Sequence, residues 1–347
     1  MIRDLVLALI VLAACAQPAA GAPPVSDPGD VVVGEMHVTR VVDGDTIWVD
    51  GLDASLRLLG IDTEETFKTD ADRRGYAAGW AAYSTGKRAA GARPAKYATP
   101  LGEDAKVFAK HFFAGVERVR VERDDPEEIR DRYGRYLAYV FARTGGAWVN
   151  YNVECVRAGM APYFTKYGRS RRYDAEFVAA EAEAKAAHRG IWAPGAQAYP
   201  DYPEREAWWT ARGDFVAKFR AAAAGDARYI DVTHEDAPAT LAARVGSEVV
   251  VLGTVGDIFE GDRGPVRVML ARTGTEDLPV VIFDRDVFRQ TGLAHGKGEY
   301  VTVTGTPSIY AHRASRGHGR SKQNQVEIVL DRADQVVLSP LPAVAAP

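Results

Sequence analysis

Cysteine is nearly absent: the chain has two in 347 residues, Cys15 and Cys155. If the first is modified or removed with the leader, no intramolecular disulfide remains, so the hydrophobic core alone must hold the fold. Long apolar runs are missing too. The best, "LVLALIVLAA", is about ten residues, too short to cross a bilayer as a helix. There is no excess of positive charge. Lys and Arg number 43 against 47 Asp and Glu, a net charge of −4. A polyanionic partner must therefore be met by local basic patches rather than a global field. The seven histidines show no zinc-ligand spacing. "GLAHGKG" lacks the spacing and the Ser/Thr of a phosphate-binding P-loop. Residue order alone builds no Ser-His-Asp triad. Neither a coiled-coil heptad nor a short fixed repeat is present.

What remains is an ordinary globular composition, 47% hydrophobic and 26% charged, long enough for two domains. The first residues, "MIRDLVLALIVLAAC", read as a signal peptide ending in a lipobox-like "LAAC". On that reading Cys15 is the lipidated residue, and a lipid anchor attaches the chain to a membrane. The alternative is cleavage after Ala22 at "AGA". The expectation is an exported, cell-envelope lipoprotein, or otherwise a periplasmic or secreted soluble protein. Residues 16–34 are a Pro/Ala/Gly-rich tether. Cys155 lies in the apolar pattern "NYNVECVRAGMA" and is expected to be a buried thiol.

A first domain, 35–194, opens with strands near 36–42, 46–50 and 55–60. An insertion at 66–101 interrupts it. A helix near 102–114 and a strand near 116–122 follow, then a hairpin about Gly145-Gly146 and helices near 150–159 and 173–188, with Gly190 as C-cap of the last. Residues 195–244 read as a linker and a helix with an aromatic face, which is expected to pack between domains. The region 245–338 orders three strands, a short helix and two strands, the order of an OB-fold. The fold class is mainly β with α: a β-barrel plus helices, then a second OB-fold-like domain.

Four stretches carry chemistry: "VVDGDT", "LRLLGIDTEE", "DRYGRYLAYV" and "GIW". Asp45 and Asp62 are carboxylates at the ends of apolar strands. Phosphodiester cleavage needs a hard cation with oxygen ligands, a base for water, and cationic groups for the charge that builds on phosphorus. Arginine suits the last task because its planar fork matches phosphate oxygens. Glu65, Arg57 and Arg135 are the available groups. Each stretch taken singly is also an ordinary turn or strand stop.

Together, in this order and spacing, the stretches resemble the staphylococcal nuclease (thermonuclease) family over about residues 36–193. The resemblance implies an OB-fold nuclease domain. It implies Asp45, Asp62 and the Thr63 carbonyl as Ca²⁺ ligands, and Glu65 as the residue that positions or deprotonates water. Arg57 and Arg135 become the phosphate clamp, and Arg132 and Tyr133 substrate contacts. It further implies a calcium-dependent nuclease acting on DNA and RNA with low sequence specificity and leaving 3′-phosphates. The family usually has proline where this chain has Glu64. That substitution is expected to loosen the approach to Glu65 and to add negative charge beside the phosphate.

Two basic segments extend this expectation. The insertion mixes Lys68, Arg73, Arg74, Lys87, Arg88, Arg93 and Lys96 with Tyr76, Trp80, Tyr83 and Tyr97. This is the recipe for a single-strand groove, or else a solvated, partly helical loop. The loop before the last strand of the second domain carries Arg313, Arg316, Arg320 and Lys322 without an acid. It is a candidate phosphate-binding arm, or a solvated loop. Nucleic acid, with single strands preferred, is the expected partner, and no protein partner is evident. The competing reading is a non-catalytic nucleic-acid-binding envelope lipoprotein.

Overall fold

The computed structural model describes residues 31–89, 94–271, 277–310 and 325–341. Cys15 and most of the tether lie outside these residues. Seven strands form the N-terminal sheet: β1 (Val32–Met36), β2 (Val38–Val41), β3 (Thr46–Val49), β4 (Leu56–Leu58), β5 (Val119–Glu122), β6 (Tyr136–Thr144) and β7 (Ala147–Asn150). Their order is β1-β5-β6-β4-β3-β2, with β7 on β6. The β6–β7 hairpin turns through Gly145 and Gly146, both at positive φ (58° and 88°), the backbone that a tight two-residue hairpin requires.

Among the described residues five helices accompany this sheet: α1 (Asp70–Ala78), α2 (Trp80–Arg88), α3 (Pro100–Phe112), α4 (Tyr151–Arg157) and α5 (Asp174–Ala186). Sequence sets their starts. Thr99 caps α3 by accepting from the Gly102 N–H, with Pro100 in the first turn. Asn150 caps α4 by accepting from the Asn152 N–H. Helix α5 buries Phe177, Ala180 and Ala184, one stripe at helical spacing, and Phe177 stacks on Tyr163 at 4.7 Å. Ile47, Leu56, Leu58, Val121 and Tyr151 lie at the centre of this core, and Cys155 is a buried free thiol within it.

Gly190 is not the C-cap of α5, which ends at Ala186. It opens a 3₁₀ turn over Gly190–Trp192. A Cβ there would stand 2.1 Å from the Gly159 carbonyl oxygen. Close backbone approach, not capping, is what demands glycine at this position.

The chain continues through α6 (Tyr202–Ala223), β8 (Tyr229–Asp231), α7 (Ala237–Ala243), β9 (Val249–Phe259), β10 (Val266–Ala271), β11 (Leu278–Ile282), α8 (Arg285–Thr291), β12 (Tyr300–Gly305), β13 (Pro307–Tyr310), β14 (Gln325–Leu330) and β15 (Val336–Leu338). The second sheet has the order β13-β14-β11-β10-β9-β12-β15, with β8 on β9. β12 and β13 are consecutive and separated by Thr306 alone, yet β12 pairs with β9 and β13 with β14. The sheet therefore bends back on itself around Val251, Val268, Val280 and Ile328.

Helix α6 joins the two halves. Its Trp209 meets Phe164 edge-on at 4.8 Å. Trp208 donates from Nε1 to Glu299 at 3.3 Å. Arg212, fully buried, pairs with the buried Glu299 and donates to the carbonyls of Lys166 and Gly298. The expected interdomain packing of this aromatic face is thus present. Residues 195–201 do not behave as a free linker, because Ala198 and Tyr199 are buried.

The insertion corrects the groove expectation. Phe67, Tyr76, Trp80, Tyr83 and Tyr97 pack with Tyr199, Tyr202 and Trp208 into a separate aromatic core. The rings are spent on packing, so they offer no stacking platform for bases. Lys68 and Lys87 pair with Glu65 and Asp72.

Candidate metal and phosphate site

The turn after β2 carries Asp43, Gly44 and Asp45. A Cβ on Gly44 would lie 2.6 Å from Thr63 Cγ2 and 2.8 Å from Ala105 Cβ. Only glycine lets this turn press against Thr63, and the Tyr151 hydroxyl fixes it by donating to the Gly44 carbonyl at 2.7 Å. Asp45 then accepts the Thr63 N–H at 3.1 Å and the Thr46 hydroxyl at 2.9 Å.

The strand register supplies the next group. Thr46 on β3 pairs with Arg57 on β4, so Arg57 stands beside Asp45. Its Nη1 lies 2.9 Å from Asp45 Oδ2 and its Nη2 2.7 Å from Asp62 Oδ1. One guanidinium draws both carboxylates together. Lys96, from the insertion, reaches the same Asp62 oxygen at 2.6 Å.

Glu65 is positioned from behind. Its carbonyl accepts the Thr99 N–H at 3.0 Å, and Gly102 leaves room for it: a Cβ there would be 2.1 Å from the Glu65 oxygen. The Glu65 carboxylate is half-exposed and accepts from Lys68 at 2.7 Å. Arg135 enters β6 two residues before Leu137, the register partner of Arg57. Asp131 holds Arg135 by accepting from its Nε at 2.7 Å and from its backbone N–H at 3.0 Å. Tyr133 at the tip of this turn is 76% exposed, with Arg132 and Arg135 5.5 and 5.7 Å from its ring.

Arg57, Arg132, Tyr133, Arg135, Lys166 and Tyr167 line one cleft of about 290 Å³, whose far wall is the second sheet at Thr254 and Tyr300. Arg57 thus meets the carboxylates with its guanidinium nitrogens and also borders the cleft. Burial and the neighbouring Arg212 and Lys96 push the Lys166 ammonium down to about 8. Burial, then Asp45, pushes Asp43 up to about 6. At Asp62 burial acts upward, but Lys96 and Arg57 outweigh it and hold the carboxyl below the ordinary range.

The donors fit a hard cation in type: Asp45 and Asp62 each set an oxygen against the same guanidinium, and Thr63 is bonded to Asp45 through its N–H. Two carboxylates do not fill the six to eight positions calcium takes. Among the described residues no third His, Cys, Asp or Glu completes a cage. Water and phosphate oxygens would have to supply the rest.

The structure therefore joins Asp45, Asp62, Thr63 and Arg57 directly, with Arg132, Tyr133 and Arg135 across the adjoining cleft; Glu65 follows two residues after Thr63 in the chain, and its carboxylate pairs with Lys68. Arg313, Arg316, Arg320 and Lys322 lie outside the described residues. Glu64 is a correction. It is 1% exposed and accepts from the Thr99 hydroxyl, the Tyr199 N–H at 2.6 Å and the Tyr202 hydroxyl at 3.0 Å. It turns away from the phosphate side and neither loosens Glu65 nor charges the site. Sequence reasoning missed Lys166 and Asp131, and it gave Lys96 a place in a substrate groove rather than on Asp62. Only Asp131 carried a local signal, its place at the head of "DRYGR".

Two carboxylates joined through one arginine at the end of the first sheet, with further arginines across the adjoining cleft, are groups suited to a phosphate. Comparison with known proteins places the chain. The family description "Staphylococcal nuclease homologue" matches residues 55–194. The thermonuclease of Staphylococcus intermedius is 31% identical over 194 residues, which cover 54% of this chain and 94% of that protein. The thermonuclease of Staphylococcus hyicus is 31% identical over 161 residues, 45% of this chain and 73% of the relative. An uncharacterised protein of Methanocaldococcus jannaschii is 32% identical over 157 residues, 45% and 70% respectively. The chain belongs to the staphylococcal nuclease family.

Proposed function

We propose that this chain is a calcium-dependent nuclease hydrolysing phosphodiester bonds of DNA and RNA with low sequence preference and leaving 3′-phosphates. The observation that carries the reading is the closure of Asp45 and Asp62 on Arg57, at 2.9 and 2.7 Å. Calcium held by these carboxylates and the Thr63 carbonyl would supply Lewis-acid charge at the scissile phosphate. Glu65 takes the proton of the attacking water as its oxygen bonds to phosphorus, the bond from phosphorus to the 5′-oxygen breaks, and the leaving oxygen takes up a proton from solvent to become the 5′-hydroxyl. Arg57 and Arg135 offset the charge that develops on the phosphoryl oxygens. The exposed ring of Tyr133 offers a face for a base, and Arg132 beside it a phosphate contact. The N-terminal segment fits export and lipidation at Cys15. The arm with Arg313, Arg316, Arg320 and Lys322 would add salt-dependent grip.

Cleavage of a labelled single-stranded oligonucleotide, with calcium or with chelator, tests this. Wild type should cut only with calcium, and Glu65→Gln should be slower by about 10²-fold or more. A wild type that binds the oligonucleotide without cutting it would favour the non-catalytic lipoprotein instead.

A further inference from the structure

Lys96 belongs to the insertion, 34 positions along the chain from Asp62, yet its ammonium ends on that carboxylate. Its backbone is held on both sides. The Ala95 carbonyl accepts from Arg205 at 2.5 Å, and the Tyr97 N–H donates to the Tyr199 hydroxyl at 3.1 Å. Tyr97 itself is locked edge-on against Tyr83 at 5.9 Å. The side chain between these anchors is therefore aimed. Its Nζ shares Asp62 Oδ1 with Arg57 and lies 5.8 Å from the Phe164 ring centroid, the ring that also faces Arg57 at 6.0 Å.

The two cations differ in freedom. The Arg57 side chain is 12% exposed, and it also donates to the Leu58 carbonyl at 3.2 Å. The Lys96 side chain is 44% exposed and can swing into solvent. We propose that Lys96 is a built-in competitor for the cation seat: its ammonium occupies Asp62 until a divalent cation displaces it. This inference rests on the calcium reading above. A divalent ion bound at Asp62 would repel both cations; Arg57 is also tied to Asp45 and the Leu58 carbonyl, so the exposed lysine is the one that leaves as the ion enters. The insertion thereby sets how much calcium the site needs.

The test is calorimetric titration of the full chain with calcium chloride, without substrate. Lys96→Met should bind calcium about tenfold or more tightly than wild type, while Lys96→Arg stays close to wild type. Lys297→Met, which removes the partner of Asp257 on the second sheet, controls for general loss of positive charge and should change nothing. Equal or weaker binding by Lys96→Met, or equal tightening by Lys297→Met, overturns the competition and leaves the calcium reading standing. If neither wild type nor Lys96→Met takes up calcium, the cation seat itself fails and the competitor with it. A thermal melt verifies folding, and Lys96→Gln replaces the methionine variant if that one does not fold.

Discussion

Glu64 stands between Thr63 and Glu65, and local sequence places its charge beside the phosphate. Its partners lie 35, 135 and 138 positions away, at Thr99, Tyr199 and Tyr202. No short-range pattern reveals such partners, which is why its place was not legible. Burial pushes its carboxyl up to about 7. Its task is to tie the insertion and the segment before α6 to the barrel. Glu64→Ala leaves three buried donors without an acceptor and should cost roughly 3 kcal/mol, read by urea unfolding. Unchanged stability would show that those contacts hold nothing. Asp45 is the opposite case. Its turn, its strand and its acid are adjacent in the chain, so its place at the start of β3 could be read there. Lys96 repeats the lesson of Glu64, because only the folding-back of the insertion, with Glu65 bridged to Ala98, brings it to Asp62.

Elements were legible where a period or a punctuating residue marks them. The Gly145-Gly146 hairpin and α5 are of this kind. The insertion was not, because tyrosines and tryptophans interleaved with lysines fit two fates. In α1 and α2 those rings form a core, and the charges are left to the surface. Helix α6 shows how elements transmit charge as well as packing. Its Arg220 lies 3.5 Å from Glu128, whose carboxyl burial pushes from 4.5 up to about 6 despite that partner. A folded value above the unfolded one means folding favours the protonated acid. This contribution is complete below 4.5 and is lost as the pH rises through about 6. It is worth roughly 2 kcal/mol across that window. Melting temperatures from about pH 4 to 7 should fall less steeply for Glu128→Gln than for wild type. Parallel curves would place Glu128 outside the linkage. Other buried acids titrate nearby, so the variant removes a share of the slope.

At the scale of the whole molecule, a chain of net charge −4 concentrates Arg57, Arg132, Arg135 and Lys166 around one cleft between its two sheets. The family and the β-with-α class were readable from four short motifs and the order of elements. The packing of the aromatic face of α6 between the two halves was readable as well, but the buried Arg212–Glu299 pair beside it was not, since its members lie 87 positions apart and no local pattern joins them. The account turns on the two carboxylates gathered at the barrel rim. Its most direct test is the rate of oligonucleotide cleavage as calcium is titrated, for wild type and Asp45→Asn. The prediction is a saturable calcium requirement in wild type that Asp45→Asn shifts to much higher calcium or abolishes. Cleavage that persists in chelator, or that Asp45→Asn leaves untouched, would contradict it.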